Sequence, residues 1–263
     1  MTDFGQFFRY ESGSLVPISD ANAEVQLAAA DSFLVDDGKV RSLEQHFDRF
    51  AAWVKQVDPQ SEAQLEGFCE AVVDALPRTG RWFPRIEWHG EAPTGQHLYF
   101  RLREAPEQLT GITLWTADET DPRLQPTVKG PDLSLCQQLR RKANLHGADE
   151  AVLVDARGCI TEGALSSIVW WNAEVLCAPD SSNAWIDSIT RREVLAIAQQ
   201  LGVEVQLTRA KPSDLIGHEV WVLGSLQGIR AVTHWENLGG EVAKPTHLDV
   251  FQRRLKLLAH QLP

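Results

Sequence analysis

Lys129-Gly130-Pro131-Asp132-Leu133, then Arg141-Lys142-Ala143-Asn144-Leu145-His146-Gly147-Ala148-Asp149-Glu150-Ala151, Leu153-Val154-Asp155, Gly158 and Thr161-Glu162-Gly163, is the stretch on which the reading of this chain turns. Lys129 stands eighteen residues before Gly147 and thirty-three before Glu162. A lysine amine held out of water can form a Schiff base with an aldehyde, and a carboxylate facing a pyridine nitrogen keeps that ring protonated as an electron sink. The pairing suggests pyridoxal phosphate. The other six lysines have surface readings: Lys39 lies in a turn, Lys55 and Lys142 on helix faces, Lys211 and Lys244 beside prolines, and Lys256 on the terminal helix. Lys129 differs because it leaves a linker just before a helix, where a side chain can point into a cleft.

Working outward, the 263 residues suffice for one large domain or two smaller ones, and 43% hydrophobic with 23% charged content is ordinary for a folded enzyme. A formal net charge of −11 argues against a protein that holds phosphate backbones, although a local basic pocket for one small anion stays compatible with it. Nucleic acid is not an expected partner. Cys69, Cys136, Cys159 and Cys177 form no C-x-x-C pair and no histidine cluster stands at metal-ligand spacing, so reduced thiols and no metal are expected. Met1-Thr2-Asp3-Phe4-Gly5-Gln6 carries neither a basic nor an apolar leader region, and no apolar run reaches membrane-span length, so the expected location is the cytoplasm.

Residues 14 to 40 alternate short apolar runs with turn residues, and Asp36-Asp37-Gly38-Lys39 reads as a hairpin turn. From Leu43 the period changes: Leu43, His46, Phe47, Phe50, Ala51 and Val54 make a helical stripe ending near Asp58-Pro59, with Ser42 and Gln45 spaced as a capping box. A second helix fits 61 to 76, stopped by Pro77. His97–Leu102 and Ile112–Ala117 read as strands, and 118 to 128 as loop. Beyond it the pattern predicts a helix over 132–146 and strands at 151–154, 166–171 and 175–178. A helix over 190–201, strands at 203–207 and 219–223 and a last helix over 247–260 follow. The expected division is an N-terminal α/β domain over 1–118, a linker over 119–128 and a C-terminal α/β domain over 129–263 carrying the lysine.

The run from Lys129 to Gly163 resembles the core of the class IV aminotransferases, a family that includes branched-chain and D-amino-acid aminotransferases and aminodeoxychorismate lyase. The likeness extends from roughly Val16 to Val232 and is most specific from 127 onward. It implies the two-domain, D-amino-acid aminotransferase-like fold (fold type IV), with mixed α/β (α+β) domains and pyridoxal 5′-phosphate in the cleft between them. It further implies that Lys129 is the Schiff-base lysine and proton shuttle, and that Glu162 partners the pyridine nitrogen. Ile186-Asp187-Ser188-Ile189-Thr190-Arg191 is similar to the family's Leu-Pro-Gly-Ile-Thr-Arg signature, which assigns Ile189 and Thr190 to the cofactor phosphate at a helix N-terminus. Thr190 also suits an N-cap. Gly224-Ser225-Leu226-Gln227-Gly228-Ile229 resembles the second phosphate loop, with Ser225 and Leu226 as donors. Leu43-Glu44-Gln45-His46-Phe47-Asp48-Arg49-Phe50 resembles the helix whose arginine, here Arg49, reaches the phosphate; His46 reads as packed.

Three departures bear on the site. Ala30-Asp31-Ser32-Phe33 replaces the family's Phe-Glu-Thr-Ile, Ser188 replaces a glycine suited to positive φ, and Ser167 replaces an asparagine. For the substrate, Arg101 and Arg103 share one face of a strand and either could hold a carboxylate, or the pair could be an exposed polar face; Ser32 matches a threonine of the lyase branch. Trp82, Trp88 and Trp115 read as core ahead of pocket. The resemblance implies a homodimeric, pyridoxal-phosphate-dependent enzyme working on a small amino acid and keto acid, an aminotransferase. The alternative is a 4-amino-4-deoxychorismate lyase releasing 4-aminobenzoate and pyruvate. From a different class, a catalytically weak paralogue serving as a binding or regulatory scaffold also fits.

Overall fold

The computed structural model describes residues 5–19, 27–180 and 185–263. Met1–Phe4, and residues 20–26 of the alternating stretch, lie outside the described residues. The chain divides into two compact units: one runs through Glu107 and adds Val128–Pro131 and Leu258–Pro263, and the other comprises Gln108–Thr127 and Asp132–Leu257.

The first unit begins with β1 (Gln6–Glu11) and β2 (Ser14–Pro17), followed by β3 (Leu27–Ser32), β4 (Val35–Asp36) and β5 (Lys39–Arg41). Then come helices α1 (Leu43–Val57) and α2 (Glu62–Ala75) and strands β6 (Arg81–Trp82), β7 (Arg85–His89) and β8 (Leu98–Leu102). Five of these form an antiparallel sheet in the order β2-β1-β8-β7-β3. The hairpin expected at Asp36–Lys39 forms, with Asp37 and Gly38 both at positive φ as a tight two-residue turn requires. α1 turns His46, Arg49, Phe50, Trp53 and Val54 inward, which is the stripe its periodicity announced. The expected capping box is absent: Ser42 adopts left-handed dihedrals (φ 49°, ψ 43°) and its side chain makes no cap bond. In that conformation its hydroxyl cannot address the first turn.

The second unit contains β9 (Gly111–Thr116), α3 (Leu133–Leu145), β10 (Glu150–Val154), β11 (Ile160–Gly163), β12 (Ser167–Asn172) and β13 (Val175–Pro179). It continues through α4 (Ile189–Gln200), β14 (Glu204–Thr208), β15 (Val220–Gly224), β16 (Gly228–Trp235) and α5 (Leu248–Lys256). One eight-stranded sheet, ordered β11-β10-β9-β16-β15-β12-β13-β14, organises it. β9 runs parallel to β10 and β16, and β13 parallel to β14, so α3 and α4 are crossover helices. Ile112, Leu114, Val152, Ile168, Trp170, Val222 and Trp235 share one core under this sheet.

The observed division differs from the one expected at residue 118. β9 belongs to the second unit because its backbone pairs with β10 and β16. Lys129 groups with the first, because Ala30 N donates to Lys129 O at 2.6 Å and Gly130 lies on Ala29. The last helix is also shorter than expected: after Lys256 the chain forms β17 (Ala259–Gln261), which pairs with β5 in a small sheet ordered β17-β5-β4-β6. β1, β7, β11 and β16 had no clear period in the sequence. β7 buries four of its five residues, Glu87 and His89 among them, so alternation was not available to reveal it.

Candidate active-site groups

In the first unit, the site is built on β3, α1 and the Lys129 turn. Asp31, fully buried on β3, accepts Arg49 Nε on Oδ2 and Arg49 Nη2 on Oδ1, each at 2.8 Å. His46 Nδ1 (2.8 Å) and the Ser32 amide (2.7 Å) donate to the same carboxylate. His46 and Arg49 are three apart on one helix, so a single carboxylate in front of the inward face receives both. Arg49, His46 and Lys129 are all close enough to hold the Asp31 carboxyl far below its ordinary range against the opposing effect of burial. Burial pushes His46 down against the opposing influence of Asp31, and its ring packs against Phe33.

Lys129 itself is half-buried, and its amine is lowered to about 8. Desolvation is the main cause; Asp31 opposes it, while the charges of Arg49, Arg85 and Arg103 reinforce it. The turn is held on β3 by steric fit as well as by the hydrogen bond from Ala30. Gly130 has φ 144°, and a Cβ there would lie 2.8 Å from Ala29 Cα.

Beside this group, β7 and β8 carry a second polar network. Arg85 and Arg101 face each other in register, and both donate through Nε to Glu87 Oε1, at 2.6 and 3.1 Å. His89 Nε2 donates to Glu87 Oε2 at 2.7 Å, and these partners bring the buried Glu87 down to about 2 although burial alone would raise it. Arg101 also lies over the Phe7 ring at 4.0 Å. Arg103 falls just past the end of β8, donating Nε to Phe83 O at 3.2 Å with its guanidinium over the Phe83 ring. Trp88 is core, whereas Trp82 is half-buried with its indole N–H on Thr79 O.

The second unit holds Glu162 on β11. Its carboxylate is buried, which raises it to about 7, with Arg123 as the main opposing influence. Arg123 Nη1 and the Ile186 amide (3.2 Å) both bond Oε1. Among the described residues both bonds fall on Oε1 and none on Oε2. Arg123 is fixed in turn by Asp121, through Nε at 2.9 Å and Nη2 at 2.6 Å. The following Gly163 sits in a turn too tight for a side chain, since a Cβ would meet Ser166 Oγ at 2.3 Å and Ser166 O at 3.2 Å. Ser167 is buried at the start of β12.

α4 begins at Ile189, with Ile189, Thr190 and Arg191 buried. Its N-cap is Ser188, whose Oγ accepts the Arg191 amide at 3.3 Å, and not Thr190. Ser188 has φ −72°, so the position where a glycine was expected needs no positive φ in this chain. Arg191 lies 3.3 Å over the Trp185 ring. Ser225 and Leu226 form the three-residue connection between β15 and β16 with Gln227. Ser32 is buried beside Asp31.

The structure therefore brings Lys129, Arg49, Ser32, Arg101 and Arg103 into the first unit, and Glu162, Ile189, Thr190, Ser225 and Leu226 into the second. Asp31, Arg85, Glu87 and Arg123 were not singled out from sequence. Asp31 had a signal, the acidic residue kept in Ala30-Asp31-Ser32-Phe33; Arg123 had none, standing in an aperiodic loop.

The residues present fit a pyridoxal phosphate group. A desolvated amine of lowered basicity suits an aldehyde, a buried carboxylate bonded through one oxygen among the described residues suits a ring N–H, and a capped helix start offers amides to a phosphate. Among the described residues no cluster of metal-ligating side chains occurs, and no helix is long and apolar enough to cross a membrane.

The model of a family described as Amino-transferase class IV matches residues 28–235. An aminodeoxychorismate lyase of Bacillus subtilis is 23% identical over 118 residues, 43% of this chain and 40% of the relative. A branched-chain-amino-acid aminotransferase of Escherichia coli is 29% identical over 92 residues, 35% of this chain and 30% of the relative. The chain thus matches less than half the length of these two relatives. Among solved structures, a hypothetical aminotransferase from Mycobacterium tuberculosis in a PLP-bound form aligns over 96% of this chain and 98% of its own, with TM-score 0.77 and 16% identity. At that identity the likeness establishes the shared fold.

Proposed function

The chain belongs to the amino-transferase class IV family, and on that footing we propose that it is a pyridoxal-phosphate-dependent aminotransferase acting on the amino group of an amino acid through Lys129. The observation that carries this reading is the Lys129 amine, desolvated and lowered to about 8, so that a useful fraction is unprotonated near neutral pH. When bound, pyridoxal phosphate supplies an aldehyde for amines and a ring that takes up an electron pair. Lys129 would hold the cofactor through Nζ, and its free amine would carry the proton from and back to the substrate Cα. Glu162 would face the ring nitrogen, with Arg123 favouring the charged form of its carboxylate. Ile189, Thr190, Ser225 and Leu226 would hold the phosphate, and Arg49 would add a guanidinium whose plane Asp31 fixes. Arg101, Arg103 and Ser32 serve the substrate.

The second reading, 4-amino-4-deoxychorismate lyase, is favoured by the Bacillus subtilis relative. It uses the same proton transfer at Lys129 and differs in the group that leaves. The protein is further proposed to work as a homodimer, to be checked by sedimentation, and in the cytoplasm, where its four free thiols are at home.

The test is an absorption spectrum of the protein with pyridoxal phosphate. A visible band bleached by borohydride and missing in Lys129→Ala supports the assignment, and a colourless protein that takes up no cofactor refutes it. Pyruvate and 4-aminobenzoate formed from aminodeoxychorismate without a keto-acid acceptor would select the lyase.

A further inference from the structure

In the second unit, one carboxylate fastens the start of α5 to the sheet. Glu219, buried immediately before β15, accepts Trp221 Nε1 on Oε1 at 2.8 Å. Its Oε2 accepts the Thr246 amide (2.9 Å), the Thr246 hydroxyl (3.0 Å) and His247 Nδ1 (2.9 Å). Burial would raise this carboxyl, but the bonds from Thr246, His247 and Trp221 hold it below its ordinary value, so it stands there as an anion that attracts donors. His247 is the last residue before α5, and its ring stacks on Trp171 with centroids 3.7 Å apart and planes at 9°. Trp171 packs edge-on against Trp221 and Phe251, and His247 Nε2 lies 3.9 Å from Glu174 Oε2 in the turn between β12 and β13. The imidazole is thus gripped on a face and at an edge.

What α5 touches beyond that grip is the connection between β15 and β16. Gln252 Nε2 donates to Ile229 O at 2.9 Å, and Leu255 lies against Gly228, where an added Cβ would stand 3.4 Å from Leu255 Cδ2. Gly224 and Gly228 face each other in register, so Ser225, Leu226 and Gln227 are carried between the end of β15 and the stretch of β16 on which α5 rests. The frame closes on itself: Glu219 leads into β15, β15 into the turn, α5 braces the β16 side, and Thr246 and His247 return to Glu219. We propose that His247 is a positioning residue for the Ser225–Gln227 turn, acting through α5, and that it raises the affinity of the site for the phosphate of pyridoxal phosphate. Donors addressed to an anion bind it best when they are fixed before it arrives, because ordering a loose turn subtracts from the binding energy. The inference rests on the assignment of Ser225 and Leu226 to the phosphate.

The experiment compares the affinities of the full chain, freed of cofactor, for pyridoxal 5′-phosphate and for pyridoxal, which differ only in the phosphate, each read from its visible absorbance on the protein. Wild type is expected to prefer the phosphorylated form. His247→Ala is expected to cut that preference by about fivefold, the worth of about one hydrogen bond, with the affinity for pyridoxal unchanged. His247→Asn, whose amide offers a donor where Nδ1 stands, is expected to recover most of it. His247→Ala that keeps the preference with its fold intact by circular dichroism, or that weakens both ligands equally, overturns the proposal, as does an asparagine variant that recovers nothing. If His247→Ala does not fold, Gln252→Met decides: it removes the bond to Ile229 O, and an unchanged preference in it overturns the proposal. Ser225→Ala separates this inference from the reading beneath it. A preference lost in Ser225→Ala but kept in His247→Ala leaves the phosphate turn and removes the role of His247, whereas a wild type that binds both ligands equally removes both.

Discussion

Replacing Asp31 by asparagine strikes the most densely bonded carboxylate of the first unit. In the wild type, this side chain accepts two bonds from Arg49, one from His46 and one from the Ser32 amide, with no exposure to water. An amide of the same shape keeps one oxygen and turns an NH2 group toward donors. At least one charge-assisted bond is lost, at about 1.5–3 kcal/mol, and the buried Arg49 loses this carboxylate as a counter-charge. Removing one partner of a buried pair costs about 3–5 kcal/mol, and that is the expected loss at pH 7. The assay is urea unfolding followed by tryptophan fluorescence, with the double variant Asp31→Asn/Arg49→Met alongside. Withdrawing both charges should recover most of the loss, because the penalty belongs to a buried guanidinium deprived of the Asp31 carboxylate. The carboxyl is held below its ordinary 3.8, so its stabilisation is present above that pH and is lost as the pH falls further. The gap between wild type and Asp31→Asn should therefore narrow below about pH 4. A loss under about 1 kcal/mol at pH 7, or a double variant no better than the single one, refutes the reasoning.

Other consequences are open to test. Arg123→Gln removes the main influence opposing the raised pKa of Glu162, so that carboxyl should move above about 7. A raised carboxyl favours the folded state below its unfolded value of 4.5 and loses that contribution as pH rises through the folded value, so the Arg123→Gln penalty should be small at pH 6 and grow toward pH 9, read by thermal melts at each pH. Gly130→Ala places a methyl group against the Ala29 backbone at 2.8 Å; the turn must shift, at about 1–3 kcal/mol, and the Lys129 amine should react with pyridoxal phosphate more slowly in stopped-flow absorbance. Glu219 accepts Trp221 Nε1, the Thr246 amide and hydroxyl and His247 Nδ1, so Glu219→Ala should cost about 1–3 kcal/mol and expose residues 240–247 to a protease; unchanged digestion would count against a clamping role.

Much of the architecture was legible where one physical signal dominated. α1 announced itself because its inward face repeats at three and four residues, and the Asp37-Gly38 turn because both positions need positive φ. α3 and α4 fell within a residue or so of expectation. Legibility failed where burial was complete or the partner was distant. β11 buries all four of its residues and β7 buries charged ones, so neither alternates. The cap at Ser188 was misplaced onto Thr190 because both side chains suit the role and only the backbone path chooses between them.

By itself, the order of residues determined the family, the helices and the two groups on which the chemistry is proposed to depend, Lys129 and Glu162, because local periodicity and a long unbroken spacing are properties of the chain alone. Only the tertiary structure decided what those groups are like. Lys129 has a lowered basicity because the fold desolvates it and brings Arg49, Arg85 and Arg103 near it from elsewhere in the chain, against the opposing charge of Asp31 on β3. Glu162 has a raised carboxyl opposed by a guanidinium on Oε1 because the fold buries it and a loop thirty-nine residues away in sequence supplies Arg123. Charge compensation depends on distance through space, and distance through space is what a linear sequence does not carry.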